Sequence, residues 1–250
     1  MFGQTREPLR NVHLQVVERI GTSIVRGEIH PGEPLPSEVK LCEMLDVSRT
    51  VVREAIRILV GKGMIESRAK SGARARPPEN WNQFDPDVLR WQLASADIDA
   101  YLAKLFDLRR AIEPAAAKLA AIAARDVDKS SIRVALERMA SAQSTPDYVQ
   151  ADITFHKSIF IATRNEFYWP MAQMFEVALR PSFDMSGPGN HRDRAIAEHR
   201  AIFDAIVRGN PEAAAQATHV LLDHTTGDLD RTRAKTAKAV PHRSARSRRQ

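Results

Sequence analysis

The 250-residue chain contains one cysteine, Cys42. No intrachain disulfide can form, and a reducing cytosol is the expected setting. A lone cysteine inside a helical pattern reads as a small core residue rather than a nucleophile. No run of about 18 apolar residues occurs, so no membrane span is expected. The opening residues, MFGQTREPLR, lack the apolar block of a secretory signal. No internal repeat is visible. The long C-terminal part shows no alternating strand pattern, which leaves helices as its building material.

What is present is a core and a divided charge. Hydrophobic residues make up 43 % of the chain, enough for one large domain or two smaller ones. Residues 1–76 carry 13 Lys and Arg against 9 Asp and Glu, residues 77–228 carry 16 against 21, and residues 229–250 carry 8 against 1. The net charge of +6 therefore splits into +4, −5 and +7. A basic front, an acidic middle and a basic tail suggest a polyanionic partner at one end only.

Leu9, Val12, Val16, Val17, Ile20 and Ile24 have helical spacing, with Gly27 as a stop. HPGEPLPSE is turn-rich, and Ser37 followed by Glu38 predicts the cap of a second helix bearing Leu41, Met44 and Leu45. After a turn at Asp46 and Val47, Ser48 caps a third. Lys70, Ser71 and Gly72 predict a tight turn between two short strands. RARPPENWNQFDP has no periodicity and reads as a linker. Beyond it, Ala- and Leu-rich helical patterns run near 86–95, 98–124, 127–142, 146–163, 165–180, 191–208 and 211–228. They are punctuated at Pro146, at Asn165, in SGPGN (186–190) and in GNP (209–211). The tail from about 229 has no large apolar pattern and is expected to be disordered. Four regions follow: a segment 1–76 of three helices and a hairpin, a linker 77–97, a helical bundle 98–228 and a basic tail 229–250.

The stretch VSRTVVREAIRIL places arginines at 49, 53 and 57. At about 100° per residue, Arg53 lies about 40° and Arg57 about 80° from Arg49, while Val51, Val52, Ala55, Ile56, Ile58 and Leu59 span roughly 180° to 340°. Like charges four apart repel mildly, and an anionic partner removes that cost. Alone, the row reads as a solvated cationic face. It follows a helix–turn–helix spacing, however, and a second helix presented that way enters a DNA major groove. Arginine reads guanine there, and Ser48 and Thr50 suit phosphates at the helix start.

GEPLPSEVKLCEMLDVSRTVVREAIRILVGKGMIESRAKSGARA resembles the winged helix–turn–helix of the GntR family of bacterial transcription regulators, over about residues 10–76. The resemblance implies DNA contacts from Arg49, Arg53 and the wing tip, here Ala69 to Gly72, which includes Lys70. The family often carries a DNA-contacting arginine just after P-S-E. Here Val39 and Lys40 follow, so either Lys40 serves in its place or that contact is lost. Arg57 faces the DNA backbone or an acidic neighbour.

In DITFHKSI, Asp152 and His156 share one helical face, and His199 precedes another apolar stripe in EHRAIFDAI. One Asp with two His is a sound ligand set for Zn²⁺, Ni²⁺ or Mn²⁺ with open positions for water or ligand. D-x-x-x-H alone is more often plain surface or core polarity. LFDLRRAIEPAAAKLAA, ADITFHKSIFIATRN and EHRAIFDAIVRGNPEAAAQA resemble, in order, the helical FCD effector domain of FadR-type GntR regulators. That resemblance implies a divalent metal on Asp152, His156 and His199. Many members add a histidine in the last helix, where this chain has Leu221. His224 is a weak fourth candidate, and His219 reads as a surface residue. Arg109, one turn before Glu113, fits either an intrahelical ion pair or, as the resemblance implies, a clamp on an effector carboxylate. Trp81 and Trp91 read as packing residues. NWNQFDPDVLRWQL resembles the linker of members answering to sugar acids such as galactonate and related aldonates.

Together these features predict a mostly α protein: a winged helix–turn–helix followed by an all-α antiparallel bundle. It is expected to act as a homodimeric repressor on a palindromic operator, released by a small carboxylate at a metal site. The tail serves either nonspecific DNA affinity or solubility. The rivals are a helical metallohydrolase, for which no general acid or base stands beside the Asp/His/His set, a metal sensor, and a fatty acyl-responsive regulator, which the polar set argues against.

Overall fold

The computed structural model describes residues 7–68, 72–178 and 191–239. Among them are ten α-helices and one antiparallel hairpin, and the chain divides into two compact units between Ile98 and Asp99. No helix among these residues is long and apolar enough to cross a membrane.

In the first unit, α1 (Glu7–Val25) buries Val16, Val17, Ile20 and Ile24. Gly27 follows at φ 74°, a left-handed conformation that glycine adopts without strain. α2 (Glu38–Leu45) starts at Ser37, whose side chain accepts from the Lys40 amide, and ends at Asp46 with φ 52°. α3 (Arg49–Gly61) starts at Ser48, whose side chain accepts from the Val51 amide. Each cap satisfies an amide that the helix start leaves without an intrahelical partner. α3 packs on α1 and α2. β1 (Ile65–Arg68) pairs with β2 (Gly72–Ala75), Ile65 opposite Ala75. Residues 32–35 add to the other edge of β2, through Leu35 N–H to Ala73 O and Gly32 N–H to Ala75 O, both 2.8 Å. The wing turn at 69–71, with Lys70, lies outside the described residues.

The first unit also takes in the stretch read as a linker. Residues Pro78–Asn80 form a 3₁₀ turn, and α4 (Pro86–Ser95) is capped by Asp85 and packs on α1. Trp81, Val88 and Trp91 join the same core as Val16, Ile20, Val51 and Leu59. At Gly21 a Cβ would come within 2.4 Å of the Trp91 ring, so only glycine lets α1 and α4 approach this closely. A buried-edge polar cluster fastens the start of α4. Lys62 Nζ donates to Asp85 (2.7 Å) and Asp87 (2.8 Å), and Arg90 donates to Glu18 (2.7 and 2.8 Å). These anchors have irregular spacing, which is why periodicity did not reveal them.

The second unit is a helical bundle of α5 (Ile98–Ala123), α6 (Asp126–Ser141), α7 (Thr145–Ala162), α8 (Trp169–Ala178), α9 (His191–Val207) and α10 (Pro211–Ala239). α6 packs on α7 and α9, α7 on α8, and α9 on α10. α8 begins four residues later than expected from 165. Arg164 sits at φ 56°, and Asn165 Oδ1 accepts from the Phe167 amide, so the chain turns before it re-enters a helix. SGPGN at 186–190 lies outside the described residues. α10 runs to Ala239, eleven residues past the expected end at 228, where disorder was expected. Residues 229–239 contain neither Pro nor Gly and are mainly Ala, Lys, Arg and Thr, and the next breaker is Pro241. Residues 240–250 of the tail lie outside the described residues.

Candidate nucleic-acid interface and metal centre

α3 is strongly amphipathic. Val51, Val52, Ala55 and Leu59 are buried, while Arg49, Thr50, Arg53 and Arg57 are exposed. Ser48 and Lys40 are exposed as well. The Arg53 side chain is 65 % exposed and its Nε donates to Glu38 on α2 at 2.8 Å, and Arg57, 79 % exposed, pairs with Glu54 at 3.2 Å. Exposed pairs of this kind contribute about 0–1 kcal/mol, so a phosphate or base edge competes with them easily. The Ser48 hydroxyl oxygen is used by its own helix cap and keeps its O–H to donate. Gly72, at φ 74° with open space around it, starts β2 beside the wing turn.

The second unit brings Asp152, His156 and His199 together. One turn of α7 separates Asp152 from His156, and α9 delivers His199 against them. His199 Nε2 lies 2.9 Å from Asp152 Oδ1 and 3.3 Å from His156 Nε2, and His156 Nε2 lies 3.8 Å from Asp152 Oδ2. These are the ligand atoms of a metal-ready group, and all three residues are buried. Two nitrogens bound tetrahedrally to zinc at about 2.0–2.1 Å stand about 3.3–3.4 Å apart, so the imidazole pair fits an ion. The outer nitrogens are also engaged. His156 Nδ1 meets Glu113 Oε2 at 3.0 Å, and His199 Nδ1 meets the Ala195 carbonyl at 2.6 Å. Such partners settle which ring nitrogen carries the proton and turn both Nε2 atoms inward. The Phe155 ring stands edge-on to both imidazoles, with centroids at 4.9 and 5.7 Å, and excludes water from that side.

Arg109 and Glu113, both buried on α5, form the ion pair their spacing allowed, Nε to Oε1 at 2.5 Å. Burial pushes the Glu113 carboxyl up, but Arg109 and His156 outweigh it and hold it down at about 2. Burial likewise works against ionisation of Asp152 and His199, yet each favours the charged form of the other: the Asp152 pKa is lowered and that of His199 raised. A cation entering the group competes with protons for the same ring nitrogens.

Glu113 is the member of this buried cluster whose part in it the sequence did not disclose. Its link to Arg109 was legible at four-residue spacing, whereas its contact with His156 crosses from α5 to α7 and has no local signature. Glu113→Gln is expected to weaken divalent-metal affinity by about 10- to 100-fold, read by competitive titration with a chromophoric chelator. Unchanged affinity removes Glu113 from the orienting role.

His224 does not join this group. Its side chain is 50 % exposed and Nδ1 pairs with Glu198 at 2.5 Å. The rotation of α10 instead buries Leu221, while His219 is exposed as expected.

A winged helix–turn–helix joined to a helical unit with a buried metal-ready group defines a DNA-binding regulator with an effector domain. The model of the bacterial regulatory proteins of the gntR family matches residues 12–74, and that of the FCD domain matches residues 104–224. The galactonate operon transcriptional repressor of Escherichia coli K12 is 33 % identical over 222 residues, covering 86 % of this chain and 95 % of that protein. The chain therefore belongs to the GntR family of bacterial transcription regulators, as an FCD-bearing member of the FadR type. Among solved structures, Lar, which controls expression of the Listeria monocytogenes agr system, shares the fold at TM-score 0.60 and 19 % identity over 92 % of this chain and 99 % of its own. Streptococcus agalactiae GntR does so at TM-score 0.50 and 24 % identity over 88 % and 99 %. The family and these relatives are regulators, not enzymes, and the metallohydrolase alternative falls with that finding.

Proposed function

We propose that this chain is a cytoplasmic, homodimeric repressor that leaves a palindromic operator when a small sugar acid, galactonate or a related aldonate, binds in its FCD domain. The observation that carries this reading is the buried convergence of Asp152, His156 and His199, with both imidazoles oriented from behind. A zinc, nickel or manganese ion held by these residues would supply a Lewis-acidic partner for an effector oxygen. The charge balance supports an anionic ligand. Arg109 is cationic and Glu113 and Asp152 are anionic, so a divalent ion with neutral histidines leaves the group net positive. Glu113 uses only part of the Arg109 guanidinium, which has further N–H donors for an effector carboxylate. The likeness to the galactonate operon repressor supports both the repressor sign and the ligand class.

On the DNA side, Arg49 and Arg53 are the proposed base readers, and Lys40, Ser48, Thr50, Lys70 and Gly72 the proposed backbone contacts. Two copies would place two α3 helices about 34–36 Å apart, one DNA turn. The effector must then favour one placement of the DNA-binding units over another, or no switch follows.

A thermal-shift screen of sugar acids, with and without divalent metal, tests the ligand assignment. At about 100 times its Kd the true effector stabilises by about 2.7 kcal/mol, or about 5–10 °C in Tm. The shift is expected only with metal present. Release of operator DNA by metal or chelator alone, with no organic ligand, would replace this reading by a metal sensor.

A further inference from the structure

The FCD match ends at residue 224, yet α10 continues unbroken to Ala239. The extra fifteen residues span about 22 Å at about 1.5 Å per residue. They carry no apolar stripe: TTGDLDRTRAKTAKA contains one large hydrophobic residue, Leu229. A helix without a face to bury gains little from tertiary packing, and an isolated one of this length is marginal in water. What this extension offers is charge. Its fifteen residues hold 4 Lys and Arg against 2 Asp, and residues 240–250, outside the described residues, add 4 Arg and no acidic residue. In helical register Arg231, Lys235 and Lys238 fall within about 60° of one another, so their positions form one stripe along the helix. Arg231 is 57 % exposed, with Asp228 one turn before it as its partner.

We propose that this C-terminal extension is a second nucleic-acid contact, a basic arm that binds the phosphates of duplex DNA without regard to sequence and so adds to the winged helix–turn–helix. The chemistry is counterion release: each phosphate neutralised by Lys or Arg contributes to affinity and steepens its salt dependence. Lys and Arg on one stripe, with no aromatic or large apolar residue between them, suit a backbone partner rather than base edges or a protein pocket. The winged helix–turn–helix then supplies the sequence preference, and the arm raises residence on any duplex.

The test uses the full chain and a duplex lacking the operator, titrated across 50–200 mM KCl. The variant Arg231→Gln/Arg233→Gln/Lys235→Gln/Lys238→Gln removes charge while keeping good helix formers. The slope of log K against log[KCl] is expected to fall by about 0.9 per lost phosphate contact, about 2–4 in all, with a loss of affinity of about 10-fold or more at the low-salt end. The charge-preserving variant Arg231→Lys/Arg233→Lys is expected to keep the parent slope, which separates charge from any disturbance of folding. Equal slopes for the glutamine variant and the parent would overturn the proposal. So would an affinity that rises on neutralisation, since the arm would then be folding back on the chain's own acidic unit. Operator preference is read in the same titrations, so failure of the arm is distinct from failure of the α3 readout.

Discussion

Arg53→Ala is expected to weaken operator binding by about 1–3 kcal/mol, roughly 5- to 150-fold, and to relax base preference at one position in each half-site. Arg53 sits in the middle of α3 on the face opposite Val51 and Ala55, and its ion pair to Glu38 is mostly exposed. That pair lends orientation and little energy. Alanine is the best helix former, and the core face of α3 is untouched, so the fold is expected to survive. Binding to a duplex without the operator should change much less than operator binding, because base contacts rather than phosphates are lost. The check is a paired titration of operator and non-operator duplexes, with circular dichroism to follow folding. Operator affinity within a factor of two of the parent would remove Arg53 from the readout.

His156→Ala is expected to abolish the response to effector while leaving DNA binding largely whole. Structural zinc sites bind with about 10–16 kcal/mol over four ligands, about 3 kcal/mol each, so losing one of three ligands lowers metal affinity by about 100-fold or more. The loss extends further here. His156 also takes the second oxygen of Glu113, so its removal leaves a buried carboxylate with Arg109 alone. Burial then works against the charged form with one opposing group fewer. Metal affinity by chelator competition and effector-driven release of labelled operator are the two readouts. A variant that still releases DNA on effector addition would mean that Asp152, His156 and His199 are not the effector's metal site. His224→Ala is the matched control, because that ring lies outside the group and is half exposed.

Much of the fold was legible along the chain. The caps at Ser37 and Ser48, the stop at Gly27 and the burial of Val51, Val52, Ala55 and Leu59 all follow from rules that act within one helix. Asp152 and His156 were legible as partners for the same reason, since a helix repeats every 3.6 residues. Local rules also misled. The stretch RARPPENWNQFDP has no period and read as a linker, yet Trp81 within it lies in the first core. The lysines and arginines after 228 read as disorder, although nothing among them breaks a helix before Pro241.

Helix boundaries, caps and the sharing of a face are set by backbone geometry over a few residues, so the order of amino acids was enough to specify them here, down to the exposed arginine row of α3. The meeting of Glu113 with His156, the closure of His199 onto Asp152 and the diversion of His224 to Glu198 were settled by folding. Each depends on the rotation and spacing of separate helices as they pack. Those are outcomes of packing a whole core, and no period or motif encodes them.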